Sequence, residues 1–273
     1  MNGFNPHATE YNVHNAYWLA EASKLAYADK DEIENNVTNE WQLDKFKFIR
    51  EKDTERMLDT QLFIAGNDQI LIIAFKGTTN IPNWITDIRI EFRDGPLGKV
   101  HHGFLDAYEL VREETTGAIE FVNSDNKPRT LWITGHSLGG ALATVAVAGM
   151  IQEGKSVQGM YTYGQPRVGD KQFAKQFNKA FKARAFRHVN NEDFVTRVPI
   201  WSLPRHKRYK HIGTCLYFDK NGKLHVGALW WFIFLLSVHR AFEDLREMLK
   251  ETIEDHKIEN YIALIEQLKG NHS

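Results

Sequence analysis

The 273-residue chain is predicted to fold as an α/β sandwich with a mostly parallel central sheet and some antiparallel strands at its start. Two observations carry this. ILIIAF (70–75) and RTLWITG (129–135) are short, nearly continuous apolar runs, the pattern of strands covered on both faces. Between and after such runs lie stretches of helical length and period, so strands and helices alternate along the chain.

The elements follow in order. EYNVHNAYWLAEASKLAYA (10–28) carries Val13, Ala16, Tyr17 and Ala20 at helical spacing and reads as an amphipathic helix. DTQLFIAGNDQILIIAFKG (59–77) reads as two strands joined at Gly-Asn-Asp, a hairpin. Residues 103–122 are helical, 129–135 form a buried strand, and GGALATVAVAGMIQEG is a helix rich in small residues. MYTYG (160–164) is a strand, KQFAKQFNKAF a helix, and AFRHVNNED (185–193) a strand running into a loop. KHIGTCLYFDKNGK (210–223) is a strand with an Asn-Gly turn. From Val238 the tail is charged and periodic, with Phe242, Leu245, Leu249 and Ile253 on one stripe. No repeat, low-complexity tract or Pro/Gly/Ser linker divides the chain, so residues 1–273 read as one domain.

Composition excludes several functions. Lys and Arg total 34 against 35 Asp and Glu, so no net field draws nucleic acid. Cys215 is the only cysteine, which rules out an internal disulfide, and its apolar strand suggests core filler. MNGFNPHATEYN lacks the basic and apolar regions of a secretory leader, so a cytoplasmic location is expected. Leaderless secretion, or removal of a leader, would leave the same sequence. The most apolar stretch, LWWFIFLLSV (229–238), falls short of the ~20 residues of a membrane-spanning helix. It reads as a buried helix or strand, with an apolar wall for a greasy substrate or a lipid-touching surface as the alternative.

GHSLG, from Gly135 to Gly139, fits the G-x-S-x-G nucleophile elbow in its required setting of strand, sharp turn and helix. The turn strains the serine backbone, and glycines two before and two after avoid collision with strand and helix. The following helix directs its N–H groups and dipole at developing negative charge. In the α/β-hydrolase arrangement, a three-layer sandwich, the acid and base follow the serine in that order. Asp193 lies where a parallel strand would release its chain; Asp170 begins a helix and reads better as an N-cap. Of the histidines after Asp193, His206 sits among Arg205, Lys207 and Arg208, and His239 shares a helical stretch with charged neighbours. His211 lies in an alternating strand and His256 where one helix breaks before another. Spacing leaves these two open as the base.

Several motifs, in order, resemble the class 3 lipases, the family of filamentous-fungal triacylglycerol lipases. IAFKGTTNIPNWITDI resembles that family's oxyanion segment and short lid, and VHHGFLDAY its V-H-x-G-F-x-x-Y stretch. ITGHSLGGALA is similar to its elbow, YGQPRVGD to F-G-x-P-R-V-G, NEDFVTRVP to N-D-x-V-x-R-x-P, and DHKIENYI to D-H-x-x-Y. The resemblance implies Ser137 as nucleophile, Asp193 as acid and His256 as base. It implies backbone N–H donors from Thr78 and Leu138 to an oxyanion, with the Thr78 hydroxyl held by Asp87. It further implies a lid of Ile81, Pro82, Asn83, Trp84 and Ile85, reaching Asp87, with the Trp84 indole over the closed site. His136 becomes elbow framework. There are departures: Lys76 replaces the family's usual Arg, Pro82 stiffens the start of the lid, the disulfides of secreted relatives are absent, and LWWFIFLLSV matches no motif.

The expected activity is that of a triacylglycerol lipase or carboxylesterase: acyl-enzyme hydrolysis of lipid esters such as acylglycerols, at a lipid–water interface, without metal or organic cofactor. A catalytically silent binding protein on the same fold is the alternative from another class, opposed by an intact set of three residues. An acyltransferase, phospholipase or serine peptidase would use the same residues.

Overall fold

A computed structural model describes residues 1–87, 91–125, 127–199, 209–227 and 253–270, with residues 85–87 described by backbone alone. His206, His239, the stretch 229–238 and the positions Phe242, Leu245 and Leu249 lie outside the described residues.

Among the described residues, eight strands form one sheet in the order β1-β2-β3-β6-β7-β8-β9-β10. These are β1 (Lys45–Asp53), β2 (Leu58–Gly66), β3 (Ile70–Phe75), β6 (Thr130–His136), β7 (Gly159–Tyr163), β8 (Ala185–Asn190), β9 (Thr214–Phe218) and β10 (Leu224–Val226). β3, β6, β7, β8 and β9 run parallel; β1, β2 and β3 pair antiparallel, as does β10 with β9. The expected mixed, mostly parallel sheet is what forms. A separate ribbon pairs β4 (Phe92–Gly95) with β5 (Gly98–His101).

The predicted hairpin is β2–β3. Asn67 closes its turn by accepting from the Gln69 and Ile70 N–H groups at 2.8 and 3.2 Å. ILIIAF is buried throughout, and its residues alternate between two cores. Leu71, Ile73 and Phe75 join a core with α4 (His102–Val122), α5 (Leu138–Gln152) and α6 (Lys171–Phe181). Ile70, Ile72 and Ala74 join a core with α1 (Val13–Leu25), Ile33 of α2 (Lys30–Asn35) and α7 (Ile258–Gly270). Helices on both faces of the sheet give the three layers.

Some details differ from expectation. Strand β1 and the β4–β5 ribbon were not anticipated. In β1 the sequence KFKFIREKD alternates only over its first four residues and then runs charged from Arg50 to Asp53, which breaks the period of a strand at this edge of the sheet. α1 buries Ala16 and Ala20 as predicted, but the rest of its buried face is Asn15, Leu19, Ala22 and Ser23, with Val13 and Tyr17 only partly covered. His211 is not in a strand: Lys210 makes an isolated bridge to Gly169 and β9 begins only at Thr214. Cys215 is half-buried on β9 rather than core.

Asp170 caps α6, accepting from the Phe173 N–H at 2.8 Å. Asp170→Ala is therefore expected to lower unfolding free energy by about 1 kcal/mol in urea titration while leaving ester turnover in place. Loss of turnover in a folded Asp170→Ala protein would contradict a purely structural role.

Candidate functional site

Ser137 stands between β6 and α5 at φ 57° and ψ −128°, a conformation that a non-glycine residue adopts only under constraint. The close approach that creates the elbow needs glycine on either side. A Cβ on Gly135 would lie 2.3 Å from the Gly139 backbone, and one on Gly139 would lie 2.2 Å from the Phe75 carbonyl oxygen. The Ser137 N–H donates to the Tyr163 carbonyl at 2.9 Å, anchoring the turn to β7. Leu138 opens α5, so its N–H belongs to the first turn, which has no acceptor within the helix.

Asp193 follows β8 by three residues and is fully buried. Its Oδ1 accepts from the Val195 N–H at 2.9 Å; its Oδ2 accepts from the Tyr261 hydroxyl at 2.6 Å and pairs with His256 Nδ1 at 2.8 Å. Burial opposes ionisation of this carboxyl. The His256 imidazole, together with the hydrogen bonds from His256 and Tyr261, outweighs burial and holds the group below the ordinary 3.8. The Asp193 contacts orient the His256 ring so that Nδ1 faces the acid and Nε2 faces away. Among the described residues, both His256 Nε2 and Ser137 Oγ are buried without a hydrogen-bond partner. A base and nucleophile that meet only in the complex with substrate leave this pattern in the free protein.

His211 and His256 are thus separated by structure. His211 is half-buried, hemmed by Arg187 and Arg167. The predicted break places His256 at the end of a short helical stretch, before α7.

Several partners of this site were not assigned from sequence. Tyr261 lies in DHKIENYI, and being five residues beyond His256 it returns on α7 to reach Asp193; its hydroxyl also accepts the Asn190 N–H at 3.0 Å. Asp255 accepts from the Asn191 side chain and the Glu192 N–H at 3.0 and 3.1 Å, and its carbonyl accepts from Asn190 at 3.0 Å. These bonds strap the loop of the base to the loop of the acid. Gly164, at φ +59°, leaves room for the pair: a Cβ there would sit 2.7 Å from His256 and 2.8 Å from Asp193.

His136, read as elbow framework, has a further place. Burial first, then the His256 ring, pull its pKa down to about 3, so it is neutral at neutral pH. Its Nε2 lies 2.6 Å from the His256 carbonyl and can only donate there, so Nδ1 accepts the Tyr27 hydroxyl at 2.9 Å.

Thr78 and Leu138 share the lining of a cavity of about 590 Å³ with Trp84, Phe104, Ala107 and Leu142. The expected lid forms helix α3 (Ile81–Asp87). Asn80 accepts the Asn83 N–H at 3.3 Å, so Pro82 falls in a first turn that loses nothing by lacking an N–H. Trp84 stacks on Phe104, ring centres 6.2 Å apart. The Thr78 hydroxyl accepts the Asn80 N–H at 3.3 Å. The expected grip of Asp87 on that hydroxyl, and the side chain of Ile85, lie outside the described residues. Among the described residues no cluster of His, Cys, Asp and Glu could hold a metal ion, and no helix is long and apolar enough to cross a membrane.

Two outcomes are expected. Removing the hydroxyl in Tyr261→Phe strips a charge-assisted bond of about 1.5 kcal/mol, which should lower kcat roughly tenfold; undiminished kcat would show that Asp193 needs no such support. His136 and His188 are both buried with pKa values held down to about 3, chiefly by burial. Below the ordinary 6.5 the unfolded chain binds protons that these folded imidazoles refuse, so stability falls as the pH drops from 6.5 towards 3. Urea titrations at about pH 7 and about pH 5 read this difference, and equal stabilities would contradict it.

Comparison with known proteins finds lipases similar in sequence and in fold. The family described as lipase (class 3) matches residues 72–203, from β3 to beyond Asp193. Triacylglycerol lipase OBL1 of Arabidopsis thaliana is 29% identical over 250 residues, covering 72% of this chain and 48% of the relative. A lipase of Rhizomucor miehei is 35% identical over 150 residues, covering 52% of this chain and 41% of its own length. The chain thus spans less than half the length of these curated relatives. A solved triacylglycerol lipase, whose catalytic centre is described as a serine-protease triad, superposes with a TM-score of 0.64 at 26% identity, covering 78% of this chain and 83% of that one. The mono- and diacylglycerol lipase of Aspergillus oryzae shares the fold, with a TM-score of 0.65 at 20% identity over 79% of this chain and 86% of that one. Over residues 72–203 the chain is thus similar to the class 3 lipases, and it shares the fold of the solved lipases.

Proposed function

We propose that the protein hydrolyses carboxylic esters of lipids, such as acylglycerols, through an acyl-enzyme formed on Ser137. The observation that carries this is the fully buried Asp193–His256 pair, 2.8 Å between Oδ2 and Nδ1, set beside a strained elbow serine whose Oγ is unpartnered among the described residues.

In the first half-reaction His256 Nε2 takes the Ser137 proton as Oγ attacks the ester carbonyl carbon. Asp193 fixes the imidazole tautomer and stabilises its protonated form, a task suited to a carboxyl held ionised. The tetrahedral oxyanion accepts hydrogen bonds from the backbone N–H groups of Thr78 and Leu138, each contributing on the order of 3 kcal/mol. Collapse expels the alcohol, protonated by His256. Water, deprotonated by the same imidazole, then attacks the acyl-enzyme, and the carboxylic acid leaves with Ser137 restored. Apart from the ester and one water, the route uses only groups of this chain.

Substrate class follows from the cavity and the helix beside it. Leu138, Leu142, Phe104, Ala107 and Trp84 make an apolar wall for an acyl chain. α3 acts as the lid, with Trp84 seated on Phe104 when closed and exposed to a lipid–water interface when open. Relatives named as triacylglycerol and as mono- and diacylglycerol lipases favour glycerides.

Ser137→Ala, with the fold verified by circular dichroism, should abolish hydrolysis of p-nitrophenyl esters. Turnover retained above the buffer rate would sink the assignment.

A further inference from the structure

The base is gripped twice, and the second grip starts just beyond the end of α1. Tyr27 is half-buried there, its hydroxyl 2.9 Å from His136 Nδ1. Burial above all pushes the Tyr27 pKa up from its ordinary 10.0, so the hydroxyl keeps its proton. Across the same imidazole, Nε2 lies 2.6 Å from the His256 carbonyl. The bonds therefore run one way: the hydroxyl donates to Nδ1, and the Nε2 N–H donates to the carbonyl. A neutral imidazole that accepts at one nitrogen donates better from the other, so each bond strengthens its neighbour. The His136 and His256 rings also lie against each other, centres 4.5 Å apart.

Tyr27 is itself held in place. Gln61 of β2, only 4% exposed, gives its Nε2 to the carbonyls on either side, Ala26 at 2.9 Å and Ala28 at 3.1 Å. The backbone of Gly77 closes over the hydroxyl. A Cβ at that position would come 2.2 Å from the Tyr27 oxygen and 2.6 Å from the His136 carbonyl oxygen. Gly77 directly precedes Thr78, so Tyr27, the elbow and the oxyanion segment meet at one point. The bond to Asp193 turns the His256 ring, but how far that ring stands from Ser137 depends on the main chain of residue 256. That main chain is what His136 holds.

We propose that Tyr27 is a positioning residue of the hydrolysis: through the His136 ring it holds the main chain of His256, and with it the distance from base to nucleophile. This rests on the reading of Ser137, Asp193 and His256 as the hydrolytic machinery. Tyr27 touches none of the reacting atoms, yet a displacement of about 1 Å in a reacting group costs up to about a hundredfold in rate.

The test measures kcat and KM for p-nitrophenyl butyrate in the unmodified protein, Tyr27→Phe, His136→Leu and the double variant, with active sites counted by exhaustive fluorophosphonate labelling. Tyr27→Phe should lower kcat about tenfold, the scale of one buried hydrogen bond, with KM unchanged. In proton NMR spectra its His136 Nε2 proton should move upfield, as the bond to the carbonyl weakens. In the double variant Tyr27→Phe should cost nothing beyond His136→Leu, because the residue it acts through is gone. Undiminished kcat in Tyr27→Phe overturns the role, and so does a double variant whose loss is the product of the two single losses. A lowered kcat with an unmoved Nε2 proton also overturns it, since that marks a general loosening of the fold. Should His136→Leu fail to fold, the kcat and the proton shift of Tyr27→Phe decide. Turnover in the unmodified protein with none lost in Tyr27→Phe strikes only this role. An unmodified protein that matches Ser137→Ala strikes the hydrolase reading and the role together.

Discussion

A carboxylate sealed from water must be paired or it destabilises the fold by several kcal/mol, and Asp193 is such a group, with no exposed surface. Its pairing organises much of the molecule. His256 and Tyr261 both bind Oδ2, so α7 and the turn before it are drawn onto the end of β8, far away in sequence. Ile258, Ile262 and Ile265 then fill the core beneath that helix together with Leu19 and Ala20 of α1. The bond to Asp193 orients the ring, and further hydrogen bonds hold its main chain. His136 grips the His256 carbonyl from below, its own tautomer set by Tyr27, while Asp255 ties the backbone on the other side. The candidate base is therefore fixed through both its ring and its main chain.

The elbow is the second constraint. A serine at φ 57° costs roughly 1–3 kcal/mol and persists only where its surroundings over-determine it. Here β6 is held between β3 and β7, and α5 is buried along nearly its whole length, so neither flank of the turn can relax. Gly139 lets that helix approach the Phe75 carbonyl, close to the segment that carries Lys76 and Thr78. The same approach that strains the serine brings Leu138 and Thr78 onto one cavity.

What could be read from sequence followed from strong local signals. Continuous apolar runs marked β3 and β6 because both faces of those strands are covered, and the glycine spacing of GHSLG marked the elbow because backbone contact there tolerates no Cβ. Asp193 was legible from its place after a strand. The base was not: His211 and His256 both follow Asp193 in the chain, and only the folding-back of α7 onto Asp193 separates them, a contact across 63 positions that local pattern cannot encode. Only the ordered motifs of a known family singled out His256. Tyr261, Asp255 and Tyr27 were missed for the same reason, since each acts through a partner distant in sequence or through backbone atoms. β1 was missed because one edge of the sheet faces solvent and its charged residues mask the period of a strand.

The central claim is that a buried, ionised Asp193 orients His256 to activate Ser137. It is tested most directly by the rate at which a fluorophosphonate modifies the protein, with the labelled residue located by peptide mass spectrometry. The account predicts label on Ser137 in the unmodified protein and a rate lower by about three to four orders of magnitude in Asp193→Asn, which keeps the shape but forces the wrong tautomer. Equal labelling rates in the two proteins, or label on a residue other than Ser137, would contradict it.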